Sequence, residues 1–259
     1  MSILEAIILG IIQGLTEFLP ISSSGHLVLF QKLFGLTEGT FTFDIMVHLG
    51  TLVAVAVIFW KDIVYMIKRP FDRLTLLVIV GTIPTVIIGL AFKDYFKALF
   101  ESGSSLGIEF IVTGAIIWFA ENMRRGHKKI DQVTYGDAIL IGILQGAAIL
   151  PAISRSGLTI AGALFRGIER ETAARYSFLL SIPAILGGVV LDGKDVFEQG
   201  LGNISLTPLL IGTVVSAIAG YLAIKTMIAL IQRGSLKVFS WYVWVLGIGI
   251  IMAQLLGKF

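Results

Sequence analysis

The sequence predicts an all-α polytopic membrane protein built as an inverted-topology repeat, each half holding one re-entrant helical hairpin and three transmembrane helices. Three observations point there. The 259 residues are 56% hydrophobic and only 14% charged, against about 25% charged in ordinary soluble domains, and the mean hydropathy is +0.92. Two apolar stretches break at Pro/Ser/Gly clusters and resume for only about ten residues, which at 1.5 Å per residue is half a bilayer. The two breaks also match each other in sequence at a fixed offset.

The elements follow in order. Residues 2–19 form an apolar helix that stops at Pro20, with a short apolar piece at 26–35 after the break. Full spans are expected at 43–65, 72–92 and 105–122. The order then returns: a helix at 135–150, a break at Pro151, a short piece at 158–166, and spans at 172–191, 207–231 and 238–256. Irregular backbone at membrane depth is tolerated only where it is buried in protein or lines a cavity, so the breaks mark a site. Gly10, Gln13, Gly14, Ser22, Ser24 and Gly25 recur 132 residues later as Gly142, Gln145, Gly146, Ser154, Ser156 and Gly157. Residues 1–259 therefore read as one membrane domain, with 1–126 the first repeat and 127–259 the second.

Loop charge sets the orientation. Lys61, Lys68, Arg69 and Arg73 flank one connection; Arg124, Arg125, Lys128 and Lys129 flank the next alternate one; Arg166, Arg170 and Arg175, then Arg233 and Lys237, form two further groups. The opposite connections hold Lys93, Lys97 and Lys194 among acidic residues. The positive-inside rule places the richer groups in the cytoplasm. Three spans per half is an odd number, so the second half is inverted. The first hairpin then enters from outside and the second from the cytoplasm, as in many transporters.

Several classes are set aside. No cysteine is present, which removes disulfides, thiolate catalysis and Cys-based metal sites. No long polar stretch is left for a separate soluble domain. Met1–Glu5 holds no basic residue ahead of the apolar run, so a cleaved signal peptide is not expected. The net charge of +3 is assigned to orientation, not to nucleic acid. No P-loop, nucleophile elbow or zinc helix is found.

The chemistry-bearing residues collect at the two breaks. Gln13 and Glu17 are four apart on a helix and share a face; a carboxylate there can hold a divalent cation, act as a base or bond a neighbouring helix. A charged group at bilayer depth costs about 2.5–3.5 kcal/mol on insertion scales, so Glu17 is read as functional. Ser22, Ser23, Ser24 and Gly25 open the short second helix, where free N–H groups and the helix dipole favour an anion. Hydroxyls there can cap the helix, bond phosphate or supply a nucleophile. His26 can act as acid, base or nucleophile, whereas His48 and His127 are expected to be structural and solvated. In the second break Arg155 matches phosphate bidentately, beside Ser154, Ser156 and Thr159; its bland alternative is a structural pair with Glu17.

Together these residues resemble one family, the bacterial undecaprenyl pyrophosphate phosphatases linked to bacitracin resistance. Gln13-Gly-Leu-Thr-Glu17-Phe-Leu-Pro-Ile-Ser-Ser-Ser-Gly-His26 is similar to the family's (Glu/Gln)-x-x-x-Glu motif and its serine–histidine continuation, and Pro151-Ala-Ile-Ser154-Arg155-Ser156-Gly-Leu-Thr159 to its Pro-Gly-x-Ser-Arg-Ser-x-x-Thr motif. Gln13 and Ala152 stand where many members hold Glu and Gly. The resemblance implies hydrolysis of undecaprenyl pyrophosphate to undecaprenyl phosphate, a divalent cation (Mg²⁺ or Ca²⁺), a location in the bacterial inner membrane and a site facing outward. Glu17, Ser23, His26 and Arg155 are then expected to be catalytic. Ser22, Ser24, Gly25, Ser154, Ser156 and Thr159 would bind the substrate, and Glu17 with Gln13 the metal. Expected partners are the lipid pyrophosphate and bilayer lipids, with no nucleic acid; glycines such as Gly212 and Gly220 permit a homodimer. The rival class is a polyprenyl-phosphate transporter or flippase, which the same inverted repeat fits.

Overall fold

The computed structural model describes residues 1–36, 39–123, 126–199 and 205–258. Arg124 and Arg125 lie outside the described residues, as do the side chains of Lys194 and Arg233. Among the described residues the chain is all-helical: α1 Ile3–Phe18, α2 Ser23–Leu33, α3 Thr40–Ile58, α4 Trp60–Lys68, α5 Arg73–Ala91, α6 Lys93–Ser102, α7 Leu106–Glu121, α8 Tyr135–Ala147, α9 Arg155–Phe165, α10 Arg170–Gln199, α11 Leu206–Arg233 and α12 Lys237–Leu255. Five of them (α3, α5, α10, α11 and α12) are long and apolar enough to cross a membrane. A sixth span is reached only by joining α6 to α7, which meet at a 109° bend.

Most expected elements lie where the hydropathy placed them. Two spans do not. The span expected at 43–65 ends at Ile58, and the chain continues as the separate amphipathic α4 with no buried residue. Hydropathy had fused them because Trp60, Ile63, Val64 and Ile67 keep the run apolar while Lys61, Asp62 and Lys68 occupy the other face. The helix of the third expected span, α7, is only 16 residues long.

The surface is that of a protein solvated by lipid. Val53 and Val57 of α3, Ile83 and Ile87 of α5, Val214 and Ile218 of α11, and Val245 and Ile248 of α12 are each more than half exposed. Polar groups are turned inward or gathered at the ends. At one end, Arg170 makes a bidentate pair with Glu121 at 3.0 and 3.1 Å, Arg175 pairs with Asp62, and the buried Asp137 receives Arg166 at 2.5 Å and Lys128 at 3.5 Å. At the other end, Lys32 donates to the Ser102 carbonyl at 2.8 Å and Gln254 to the Gly103 carbonyl at 3.1 Å. The free ends of α1–α2 and of α8–α9 therefore lie at opposite ends of α7.

Helices meet at glycines. In membranes, small residues let backbones approach without a hydrophobic driving force. A Cβ on Gly10 of α1 would lie 2.7 Å from the Gly212 carbonyl oxygen of α11. A Cβ on Gly142 of α8 would overlap the Gly81 carbonyl oxygen of α5. Gly212 and Gly220 thus pack inside the chain, against Phe43 and Ala54 among others, and carry no argument for a second copy. Gly142→Ala is expected to force α8 from α5 and destabilise by about 1–3 kcal/mol. Gly136→Ala, whose Cβ would meet nothing closer than 3.7 Å, should be neutral; thermal unfolding of both variants in detergent checks this.

Candidate active site

The two helix breaks meet in the middle of the bundle and finish each other. α1 ends at Phe18, and Pro20, which lacks an N–H, helps stop it. Ser22 then caps α2 by accepting from the Gly25 N–H at 3.3 Å, and Ser154 caps α9 by accepting from the Gly157 N–H at 3.1 Å. The Ser22 hydroxyl donates to the Pro151 carbonyl at 2.8 Å, and the Ser156 hydroxyl donates to the Leu19 carbonyl at 2.9 Å. Gly25 leaves the space that Phe110 and Ala152 fill, since a Cβ there would lie 2.7 and 2.9 Å from them. Both helices begin at this junction, so two positive helix ends point to one place, an arrangement suited to an anion.

Ser22 is the single non-glycine residue described with positive φ, at φ 67° and ψ 105°. Such a conformation costs of order 1–3 kcal/mol and persists only where its surroundings over-determine it. Ala152, by contrast, needs no positive φ. Its N–H donates to Glu109 at 2.6 Å, and its carbonyl accepts from the Thr113 hydroxyl at 2.9 Å. Thr113 also accepts from the Ser154 N–H at 3.2 Å. Glu109 and Thr113 were not singled out from sequence; a carboxylate and a hydroxyl four apart in an apolar helix are the signal that could have found them.

Glu17 is the centre of the site. It is buried, and both carboxylate oxygens are engaged. The Ser23 hydroxyl and the Gln13 amide, the latter at 3.0 Å, donate to Oε2. Arg155 donates to Oε1 as an ion pair that joins the two halves of the chain. His48 Nε2 lies 3.9 Å from Oε2, so this histidine stands beside the site although it was expected to be structural. Its Nδ1 is 2.6 Å from the Asp44 carbonyl, which fixes the ring.

Two buried polar atoms here lack partners: Arg155 Nη1 and Gln13 Oε1. A buried unsatisfied polar group costs about 1–3 kcal/mol, so both are primed for a ligand that brings oxygens or a cation. The remaining expected residues serve other bonds. Thr159 donates to the Arg155 carbonyl at 2.8 Å and accepts from the Ser177 hydroxyl at 2.6 Å. Ser154 and Ser156 face each other at 3.3 Å. Ser24 is half-buried. The ring nitrogens of His26 meet the Ser22 carbonyl and the Tyr242 hydroxyl, not Glu17.

The second half holds no copy of this carboxylate. Gln145 repeats Gln13, but its amide donates to Thr85 at 3.1 Å and the Glu17 position is Ile149.

A family model described as bacitracin resistance protein BacA matches residues 6–249. An undecaprenyl-diphosphatase of Carboxydothermus hydrogenoformans is 56% identical over the full length of both chains. Undecaprenyl-diphosphatase 3 of Bacillus cereus is 54% identical over 98% of each chain, and an undecaprenyl-diphosphatase of Halothermothrix orenii is 45% identical over 97% of this chain and 98% of its own. With its buried Glu17–Ser23–Arg155 centre and a match along nearly its whole length, the chain belongs to the bacitracin resistance protein BacA family.

Proposed function

We propose that this integral membrane enzyme hydrolyses undecaprenyl diphosphate to undecaprenyl phosphate and inorganic phosphate. It would thereby recycle the lipid carrier of cell-wall synthesis and confer bacitracin resistance. The observation that carries the reading is the Glu17 carboxylate, which accepts from the Ser23 hydroxyl while paired with an Arg155 that has a second, unpartnered nitrogen.

The isoprenoid tail stays in lipid and the diphosphate enters at the junction of the breaks. Arg155 turns its guanidinium to the phosphate oxygens, aided by the N-terminal amides of α2 and α9. Preorganised donors in a dry site are the strongest source of charge stabilisation. As Arg155 leaves it, the Glu17 carboxylate is free to take the Ser23 proton. The Ser23 oxygen attacks the terminal phosphorus, and the bond from that phosphorus to the bridging oxygen breaks, releasing undecaprenyl phosphate. Water then attacks the phosphoserine, and the proton held by Glu17 returns to Ser23 as inorganic phosphate departs.

A divalent cation, Mg²⁺ or Ca²⁺, fits only as a partner of the substrate. Among the described residues no group of three or more His, Asp or Glu could hold a metal alone. Glu17 and the unpartnered Gln13 Oε1 could hold one that arrives on the diphosphate, the mode in which Mg²⁺ usually binds. Bound there, it would neutralise phosphate charge.

The inverted repeat is supported by reciprocal packing. α1 packs on α11 of the second half, α8 on α5 of the first, and α7 on α12. The capping boxes of α1 (Ser2 and Glu5) and α8 (Thr134 and Asp137) also stand 132 residues apart. With the basic clusters inside, the protein lies in the bacterial inner membrane with its site open outward.

A transporter would use the same architecture. Multiple-turnover phosphate release from undecaprenyl diphosphate in detergent separates the two, because carriage needs a sealed membrane and hydrolysis does not. Sustained release by the wild type is expected. A protein that binds the lipid without releasing phosphate would overturn the enzyme reading.

A further inference from the structure

His26 is the fourth residue of α2, and both of its ring nitrogens are occupied. Nδ1 lies 2.6 Å from the Ser22 carbonyl oxygen. A carbonyl only accepts, so Nδ1 carries the hydrogen. In the neutral ring Nε2 is then the acceptor, and the Tyr242 hydroxyl of α12 lies 2.8 Å from it. The ring stacks on Tyr242 with centroids 5.7 Å apart and planes 9° apart, and meets Phe110 of α7 edge-on at 5.2 Å. The imidazole is buried in this sandwich.

A proton-transfer group has to reach the proton it moves, directly or through one water. This ring instead reaches the carbonyl of Ser22, the residue with the positive φ. Four bonds hold that residue: its hydroxyl donates to Pro151, the same hydroxyl accepts from the Gly25 N–H, and its carbonyl accepts from both the ring Nδ1–H and the backbone N–H of His26. The next residue is Ser23, and the Ser22 backbone sets where the Ser23 hydroxyl points. Tyr242 in turn fixes the ring that fixes Ser22, and it belongs to α12, far along the chain.

We propose that His26 and Tyr242 are positioning residues: they clamp the Ser22 turn so that the Ser23 hydroxyl meets Glu17, and no proton of the reaction passes through the imidazole. The proposal rests on the phosphatase reading above.

The two roles separate on substitution. Asparagine places a side-chain N–H near the position of Nδ1–H but transfers no proton at neutral pH. Glutamine extends instead toward the position of Nε2. Phosphate release would be measured against pH for His26→Asn, His26→Gln, His26→Ala and Tyr242→Phe, with Glu17→Gln alongside. A clamp predicts that His26→Asn stays within about 10-fold of wild-type kcat with an unshifted pH profile. His26→Ala and His26→Gln should fall much further, and Tyr242→Phe should lose several-fold in kcat with little change in KM. A proton-transfer group contributes about 10²–10⁴-fold, so a folded His26→Asn as inactive as His26→Ala would overturn the proposal. If His26→Asn does not fold, Tyr242→Phe decides: a lowered kcat with an unshifted profile supports the clamp, and wild-type kcat refutes it. Activity surviving in Glu17→Gln would instead overturn the phosphatase site itself.

Discussion

Arg155→Ala is expected to lower phosphate release by at least about 10³-fold and to destabilise the protein as well. The activity loss follows from removing the Arg155 guanidinium from the junction, where its charge would meet the diphosphate in a water-poor site; a single such donor is worth about 10²–10³-fold in other enzymes, and under the proposed function it would also bind the substrate. The stability loss follows from Glu17, which would be left as a buried, unpaired carboxylate. Breaking a buried ion pair from one side costs about 3–5 kcal/mol, while replacing both partners is often neutral. The double variant Arg155→Ala/Glu17→Gln should therefore regain most of the stability and none of the activity. Thermal unfolding with phosphate release on all three variants checks this. A double variant no more stable than Arg155→Ala would show that the pair does not hold the junction together.

Ser23→Ala is expected to remove turnover by at least about 10³-fold while leaving KM nearly unchanged. The hydroxyl donates to Glu17 and is small, so its loss should disturb packing little. Acid quenching of the wild type with substrate labelled on the terminal phosphate should leave label on a peptide containing Ser23. Ser23→Ala should show none. If Ser23→Ala keeps a rate within about 10-fold of wild type, Glu17 activates a water and no phosphoserine forms. Nucleophile and base behave as one unit, so Glu17→Gln combined with Ser23→Ala should be little worse than either alone.

Much of this was legible in the sequence because the bilayer restricts what a chain can do. Pro20 and Pro151 stop helices, and a broken helix in lipid must be finished by protein. The two Gly-x-x-Gln-Gly and Ser-x-Ser-Gly echoes therefore located both breaks, whereas the Glu17–Arg155 pair stood only as the bland alternative to phosphate binding by Arg155. Amphipathic α4 was not legible as a separate element, since hydropathy averages its two faces and Phe59 is no breaker. The nearness of His48 to Glu17 was hidden for a similar reason. His48 lies two to three turns along a different helix, and only the packing of α3 on α1 and α11 brings it to Glu17. Glu109 and Thr113 were missed because their partners are the backbone groups of Ala152 and Ser154, and a backbone carries no signal of its own. His26 was correctly placed near the junction, but sequence does not say which way a ring on a helix faces.

The crossed bonds from Ser22 to Pro151 and from Ser156 to Leu19 also bear on how the molecule is made. During synthesis the first helix break is made more than a hundred residues before its counterpart. Until Pro151 and Ser156 arrive, the Ser22 hydroxyl and the Leu19 carbonyl lack the partners that the finished protein gives them. The junction of the two breaks is thus completed only once the second half of the chain is made. A nascent chain halted midway holds Glu17 and Ser23 but lacks Arg155, with which Glu17 pairs in the finished protein.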